Sequence, residues 1–165
     1  MYTFRVIAGL MLAGLLPATA NSQVQPFPRG WNGSETALEA ELLRWARTNY
    51  PGRAFVAQQA QGQQAGRRQD SEVAAIATDA GFAPPLDTGV SCTPRCPSSL
   101  FQGLQTGDVL VILQPRHRAS ASQGNVSMEL VTRTSMGTLW ARNLSVVIHK
   151  RGQQWEIGDF YMTSH

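Results

Sequence analysis

Four strand-like segments follow one another at short intervals in the last third of the chain, and they constrain the fold more than any other feature. From Asp108, "DVLVILQ" is a continuous apolar run, the pattern of a strand buried on both faces. "NVSMELVTRT" alternates, with Val126, Met128 and Leu130 on one face and Ser127, Glu129 and Arg133 turned away from it. "LWARNLSVVIHK" and "QQWEIGDFYMTS" come next, separated by Arg151-Gly152. Short turns join antiparallel neighbours, so this part is expected to form a meander of four strands or more.

The first half has a different grain. Ser34 or Asn32 can cap a helix with Glu35 in its first turn, where the helix dipole favours an acid. Leu38, Leu42, Trp45 and Ala46 recur at helical spacing, and Asn49-Tyr50-Pro51-Gly52 stops the run. The Ala- and Gln-rich stretch 53–69 reads as a short strand around Phe55 and Val56 leading into a loop. Asp70 is expected to cap a second helix through Ala80, with Val73, Ile76, Ala77 and Ala80 on one face and Gly81 as its stop. Residues 82–99 carry Pro84, Pro85, Pro94 and Pro97 and read as an irregular connection. Helices first and strands second, without an alternating βαβ pattern, predict an α+β fold: N-terminal helices packed on a curved C-terminal antiparallel sheet.

The N-terminus sets the expected location. Arg5, the apolar run Val6–Leu16 and the Ala18-Thr19-Ala20 triplet form the three-part pattern of a secretory signal peptide. The apolar run of 11 residues is short of the roughly 20 that cross a bilayer. Residues 1–20 are therefore expected to be removed, 21–33 to be an extended lead-in, and 34–165 to be a single domain. The product is expected to be secreted or periplasmic and free of the membrane after cleavage. Its 13 basic residues against 11 acids leave a small positive charge without the clustered Lys and Arg of a nucleic-acid binder.

The final hairpin allows a closer prediction. A two-residue turn at Arg151-Gly152 pairs Trp155 with Ile148, Ile157 with Val146 and Asp159 with Leu144, and sets Arg142 opposite Tyr161. Leu144, Val146, Ile148, Trp155 and Ile157 then share the core face, Asp159 lies among them, and His149 sits on the polar face near Gln154 and Glu156. For the preceding hairpin, a three-residue loop Met136-Gly137-Thr138 keeps Val126, Met128 and Leu130 on that same core face.

"SVVIHKRGQQWEIGDFYM", with helices before it, resembles the NTF2-like (nuclear transport factor 2-like) superfamily, which includes ketosteroid-isomerase and SnoaL-type domains. The resemblance covers about residues 34 to 163. It implies a cone of curved sheet and helices whose mouth often becomes a ligand pocket, catalytic in some members and non-catalytic in many.

Three readings of function follow. In the first, the domain is non-catalytic and binds a small ligand or protein partner as a monomer or homodimer, with Trp155 and Asp159 as ligand-binding candidates. In the second, Asp159 acts as an acid/base group with Tyr161 and Arg142, since a carboxylate among apolar residues has a raised pKa and can transfer protons near neutrality. An Asp159–Arg142 structural pair is the alternative for the same residues. The third concerns Cys92 and Cys96 in "SCTPRCPSS". Outside the cytoplasm such a pair is expected as a local disulfide, whose five-residue loop contributes roughly 2 kcal/mol. "CTPRCP" is also similar to the C-x-x-x-C-P of Sco-type copper chaperones, which hold Cu(I) through both thiolates. His117, between Arg116 and Arg118, falls in a polar segment that reads as a surface loop, and His165 is the last residue. No catalytic or nucleotide-binding signature is present, and no cofactor is expected.

Overall fold

The computed structural model describes residues 27, 30–59, 69–83, 91–92 and 98–164. In chain order the elements are β1 (Asn32–Gly33), α1 (Glu35–Asn49), β2 (Ala54–Gln59), α2 (Asp70–Asp79), β3 (Ser91–Cys92), α3 (Ser98–Gln102), β4 (Val109–Leu113), β5 (His117–Ser120), β6 (Gln123–Arg133), β7 (Leu139–Arg151) and β8 (Gln154–Ser164). The fold is α+β: helices lie against one curled sheet that forms a half-barrel.

The first helix follows the sequence closely. Ser34 is its cap, its hydroxyl accepting from the Ala37 amide at 3.1 Å, while Asn32 belongs to β1. Leu38, Leu42, Leu43, Trp45 and Ala46 are buried. At the far end Arg47 donates to the carbonyls of Tyr50 and Gly52, at 3.0 and 2.8 Å, so the acceptors on either side of Pro51, just past the helix end, share one donor. In α2 the expected cap is corrected. Gln69 precedes the helix without a side-chain cap, and Asp70 is the first helical residue. The Asp70 carboxylate instead accepts from the Gln58 side-chain amide at 2.7 Å, tying α2 to β2.

The sheet runs β1-β8-β7-β6-β4-β2-β3, with β5 following β4 along the same edge of β6. The expected meander is its antiparallel part. The absence of a βαβ unit is corrected: β2 pairs in parallel with β4, Ala54 opposite Val109 through Gln58 opposite Leu113, with α2 and α3 between them in the chain. Parallel neighbours require a long crossover, and the chain between Gln59 and Val109, which carries α2, β3 and α3, is long enough to provide it. The run Val109–Leu113 is buried on both faces, as its sequence indicates. Val109, Val111 and Leu113 join the main core under the helices, and Leu110 and Ile112 pack with Phe55, Ala57, Leu104 and Val131 on the other side.

Two contacts fix the start of the parallel pair. A Cβ at Gly52 would overlap the Gly107 carbonyl, so only glycine lets the two turns approach. Next to it, Asp108, 3% exposed, accepts from Arg53 Nη2 at 2.6 Å and from the Arg53 and Gln105 amides at 3.2 and 2.7 Å. Burial alone pushes the Asp108 carboxyl up, but the Arg53 hydrogen bonds, the Gln105 amide and the Arg53 charge prevail and hold it below the ordinary carboxylate range.

Both hairpins differ from the expected register by two residues. The β6–β7 loop spans residues 134–138, pairing Arg133 with Leu139, Met128 with Leu144 and Val126 with Val146. The last turn is Gly152-Gln153, pairing Arg151 with Gln154, Lys150 with Trp155 and Ile148 with Ile157. A two-residue slip preserves the faces, so the core residues remain as read. One further event does change faces. A bulge at Gly158 shifts the register, so Asp159 pairs with Val147 and Phe160 with Val146. Phe160 takes the inward place expected for Asp159, stacking on Phe27 (centroids 5.4 Å apart) and meeting Trp45 edge-on. Phe27 is itself buried, so the lead-in is built into the core at that point.

Candidate functional site

The residues expected to form one site lie on two faces of the sheet. Asp159 is exposed on the outer face, opposite Val147, and the proposed Asp159–Leu144 pairing does not occur. Tyr161, opposite Ser145, lies on that same outer face and is 53% exposed. Arg142 pairs with Leu130 and Ser164 on the inner face, not with Tyr161. Gly158 is the cause: its extra backbone unit restarts the alternation, separating Asp159 and Tyr161 from Arg142. Trp155 is buried in the main core with the Arg118 guanidinium over its ring at 5.4 Å, so it packs as a structural residue. His149 pairs with Glu156 on the polar face, where the sequence places it.

Cys96 and residues 1–20, expected as a signal segment, lie outside the described residues. Of the cysteine pair, the Cys92 backbone is placed in β3, parallel to Gln59. Among the described residues no group of three His, Cys, Asp or Glu side chains could hold a metal ion. No described helix is long and apolar enough to cross a membrane.

An ionic network on the helix side escaped the sequence reading. Glu39 is fully buried in α1 and receives Arg116 Nε and Nη2 at 2.9 and 2.7 Å. Arg116 Nη2 also reaches Glu72 on α2 at 2.7 Å. The Glu39 hydrogen bonds, opposed by burial and aided by the Glu39 and Glu72 charges, raise the Arg116 pKa. The segment expected as a surface loop is therefore strand β5 and its lead-in, with Arg116 and, through Glu35 at 2.9 Å, Arg118 fastening the helices to the sheet. A groove of about 410 Å³ lies between α1 and α2, floored by Ala37, Ala40, Ala75 and Ile76. The charges at its rim, Arg44 with Asp79 and Glu72 with Arg116, already satisfy one another.

The open end of the inner face is different. There β7 presents Trp140 and Arg142 on one side of the sheet, Met162 stands diagonally across on β8, and Tyr50 descends from the end of α1. The Arg142 guanidinium lies 4.0 Å from the centroid of the Trp140 ring, close enough for a cation–π contact. Its Nη1 makes a long 3.4 Å hydrogen bond to the Tyr50 hydroxyl. Its Nε is shut off from solvent and has no acceptor. Other described arginines are better served: Arg44, Arg53, Arg116, Arg118 and Arg151 pair with carboxylates, and Arg47 and Arg133 with backbone carbonyls. A buried N–H without an acceptor costs about 1–3 kcal/mol, more for a charged group. Beside it, Trp140 and Met162 are each 40% exposed, an apolar surface next to an unanswered cation. The sequence singles out Arg142 as a site candidate but not Trp140, and it shows Tyr50 only as part of the stop of the first helix. Trp140 and Arg142 share a face through their two-residue spacing, whereas nothing in the sequence links Tyr50 to them.

No protein-family model, curated protein or solved structure matches the chain.

Proposed function

We propose that this chain is an exported, non-catalytic binding domain that takes a small ligand or protein partner at the open end of its half-barrel. One observation carries the reading: Arg142, alone among the described arginines, has neither a carboxylate nor a carbonyl acceptor, and its Nε is desolvated beside exposed Trp140 and Met162. A cation held in this way is what an anionic or strongly accepting group would complete, because part of the desolvation cost is already met by the fold. The signal-peptide pattern of residues 1–20 supports export. An acid/base mechanism would require Asp159, Tyr161 and Arg142 to converge, and the bulge at Gly158 sets them on opposite faces.

Native mass spectrometry of the exported full-length product tests the reading. The expected result is a retained small molecule or partner on the wild-type protein that is lost in Arg142→Gln. Bare protein in both samples, or equal retention in both, would contradict it.

A further inference from the structure

The geometry points to an organic monocarboxylate with a flat apolar body as the ligand of the Arg142–Tyr50–Trp140 mouth, an inference that rests on the binding reading above. The head group follows from the donors. Arg142 Nε is shut off from solvent, so the donors left for a ligand are on the outer edge of the guanidinium: Nη2, with no acceptor among the described residues, and Nη1, in a long 3.4 Å contact with the Tyr50 hydroxyl. As that hydroxyl accepts from Arg142, its own proton is left to donate, and no described residue receives it. A guanidinium edge plus one O–H suits the two oxygens of a carboxylate, which guanidinium binds in a planar fork. The charge agrees. One arginine balances one negative charge, and the other described basic side chains with printed ion pairs are already neutralised by their own acids. A doubly charged phosphate ester would leave a net negative charge at a half-buried site.

The body follows from the surroundings. The Arg142 guanidinium stacks on Trp140, and Leu130 and Leu144 flank Arg142 as buried neighbours on β6 and β7. Trp140 and Met162 provide the exposed apolar surface at the rim. An aromatic ring or short alkyl chain attached to the carboxylate would cover both as the head group reaches Arg142. Methionine and tryptophan together suit flat bodies of varied outline, since a thioether adapts its shape and makes favourable contacts with aromatic rings.

Isothermal titration calorimetry of the full-length exported protein with three probes of equal apolar body tests this: 1-naphthoate, 1-naphthalenemethanol and 1-naphthyl phosphate. Naphthoate is expected to bind at least about tenfold more tightly than the alcohol, the scale set by charge-assisted hydrogen bonds. Arg142→Gln should weaken naphthoate about tenfold or more and leave the alcohol unchanged, and Tyr50→Phe should weaken naphthoate by a smaller factor. Trp140→Ala should weaken acid and alcohol alike. Melting temperatures of the variants within a few degrees of wild type keep the comparison one of binding. Naphthyl phosphate binding more tightly than naphthoate would overturn the carboxylate assignment and leave the binding mouth standing. Acid and alcohol binding equally, with no effect of Arg142→Gln but loss in Trp140→Ala, would also overturn the head group while retaining the mouth. Absence of binding by all three probes would overturn the inference, and if native mass spectrometry also finds the protein bare, the binding reading falls with it.

Discussion

Replacing Arg116 by methionine should destabilise the fold by roughly 3 kcal/mol at pH 7, because it leaves a carboxylate in the interior without its cation. Glu39 is fully buried on α1, and Arg116 reaches it with two hydrogen bonds at 2.7 and 2.9 Å. Breaking a buried pair from one side costs about 3–5 kcal/mol. The lower end applies because the Arg116 side chain keeps 20% of its exposure and Glu72 shares it. For a domain of this size the loss corresponds to a fall of about 10 °C in melting temperature. The stranded Glu39 can relieve the penalty by taking up a proton, so the deficit should shrink as pH falls from 7 towards 5. The double variant Glu39→Met/Arg116→Met should recover most of the loss, since an apolar pair of similar volume carries no desolvation penalty. Urea denaturation followed by tryptophan fluorescence at several pH values measures all three effects. A cost below about 1 kcal/mol that does not vary with pH would refute the reasoning, as would a double variant less stable than Arg116→Met.

The remaining predictions concern single sites. Gly52→Ala should cost about 2–3 kcal/mol because its methyl would overlap the Gly107 backbone carbonyl, whereas Gly158→Ala should cost under about 1 kcal/mol because the atoms it meets, at 2.6 Å, belong to the movable ring of His149. Urea midpoints of the two variants separate these outcomes. Asp159→Asn should change stability by no more than about 0.5 kcal/mol, as expected of an exposed substitution, and should leave naphthoate affinity unaltered. The Asp108 carboxyl is held below its ordinary value, so its stabilising share is present in full above the unfolded pKa near 3.9 and disappears as pH falls through the lower folded value. Acid titration of Asp108→Asn should therefore show a smaller loss of stability below pH 4 than the wild type.

Much of the fold was legible because local chemistry and tertiary packing agree. Ser34, the apolar spacing from Leu38 to Ala46 and Pro51 define α1 without help from the rest of the chain. The alternation of Val126, Met128 and Leu130 gives the inner face of β6, and it survives a register two residues away from the simplest one because the side-chain period is itself two. The parallel pairing of β2 with β4 was not legible. Both strands are short apolar runs, and although α2 lies between them, the proline-rich stretch 82–99 separates that helix from β4, so the order reads as helices followed by a meander and not as a βαβ unit.

The site was harder to read for a sharper reason. A single extra residue, Gly158, changes the face of everything after it on β8, and an alternating pattern has no means of marking which glycine is a bulge. Phe160 carried the only clue: placed outward, it would have been a large exposed aromatic beside Asp159 facing the core. Glu39 did have a local signal, since Glu39, Leu42, Leu43 and Ala46 recur at i, i+3, i+4 and i+7 and so share the buried stripe. Its partner is 77 residues away, and no local pattern connects them. A still longer separation, 92 residues, hides the contact of Arg142 with Tyr50.

The proposed binding mouth is tested most directly by two-dimensional amide NMR of the protein titrated with 1-naphthoate. The largest shifts should fall on Tyr50, on Trp140 through Arg142 with the Trp140 indole N–H, and on Met162 through Ser164, and they should vanish in Arg142→Gln. Shifts confined to the α1–α2 groove around Ala37 and Ile76, or to the outer face at Asp159 and Tyr161, would contradict the placement of the site.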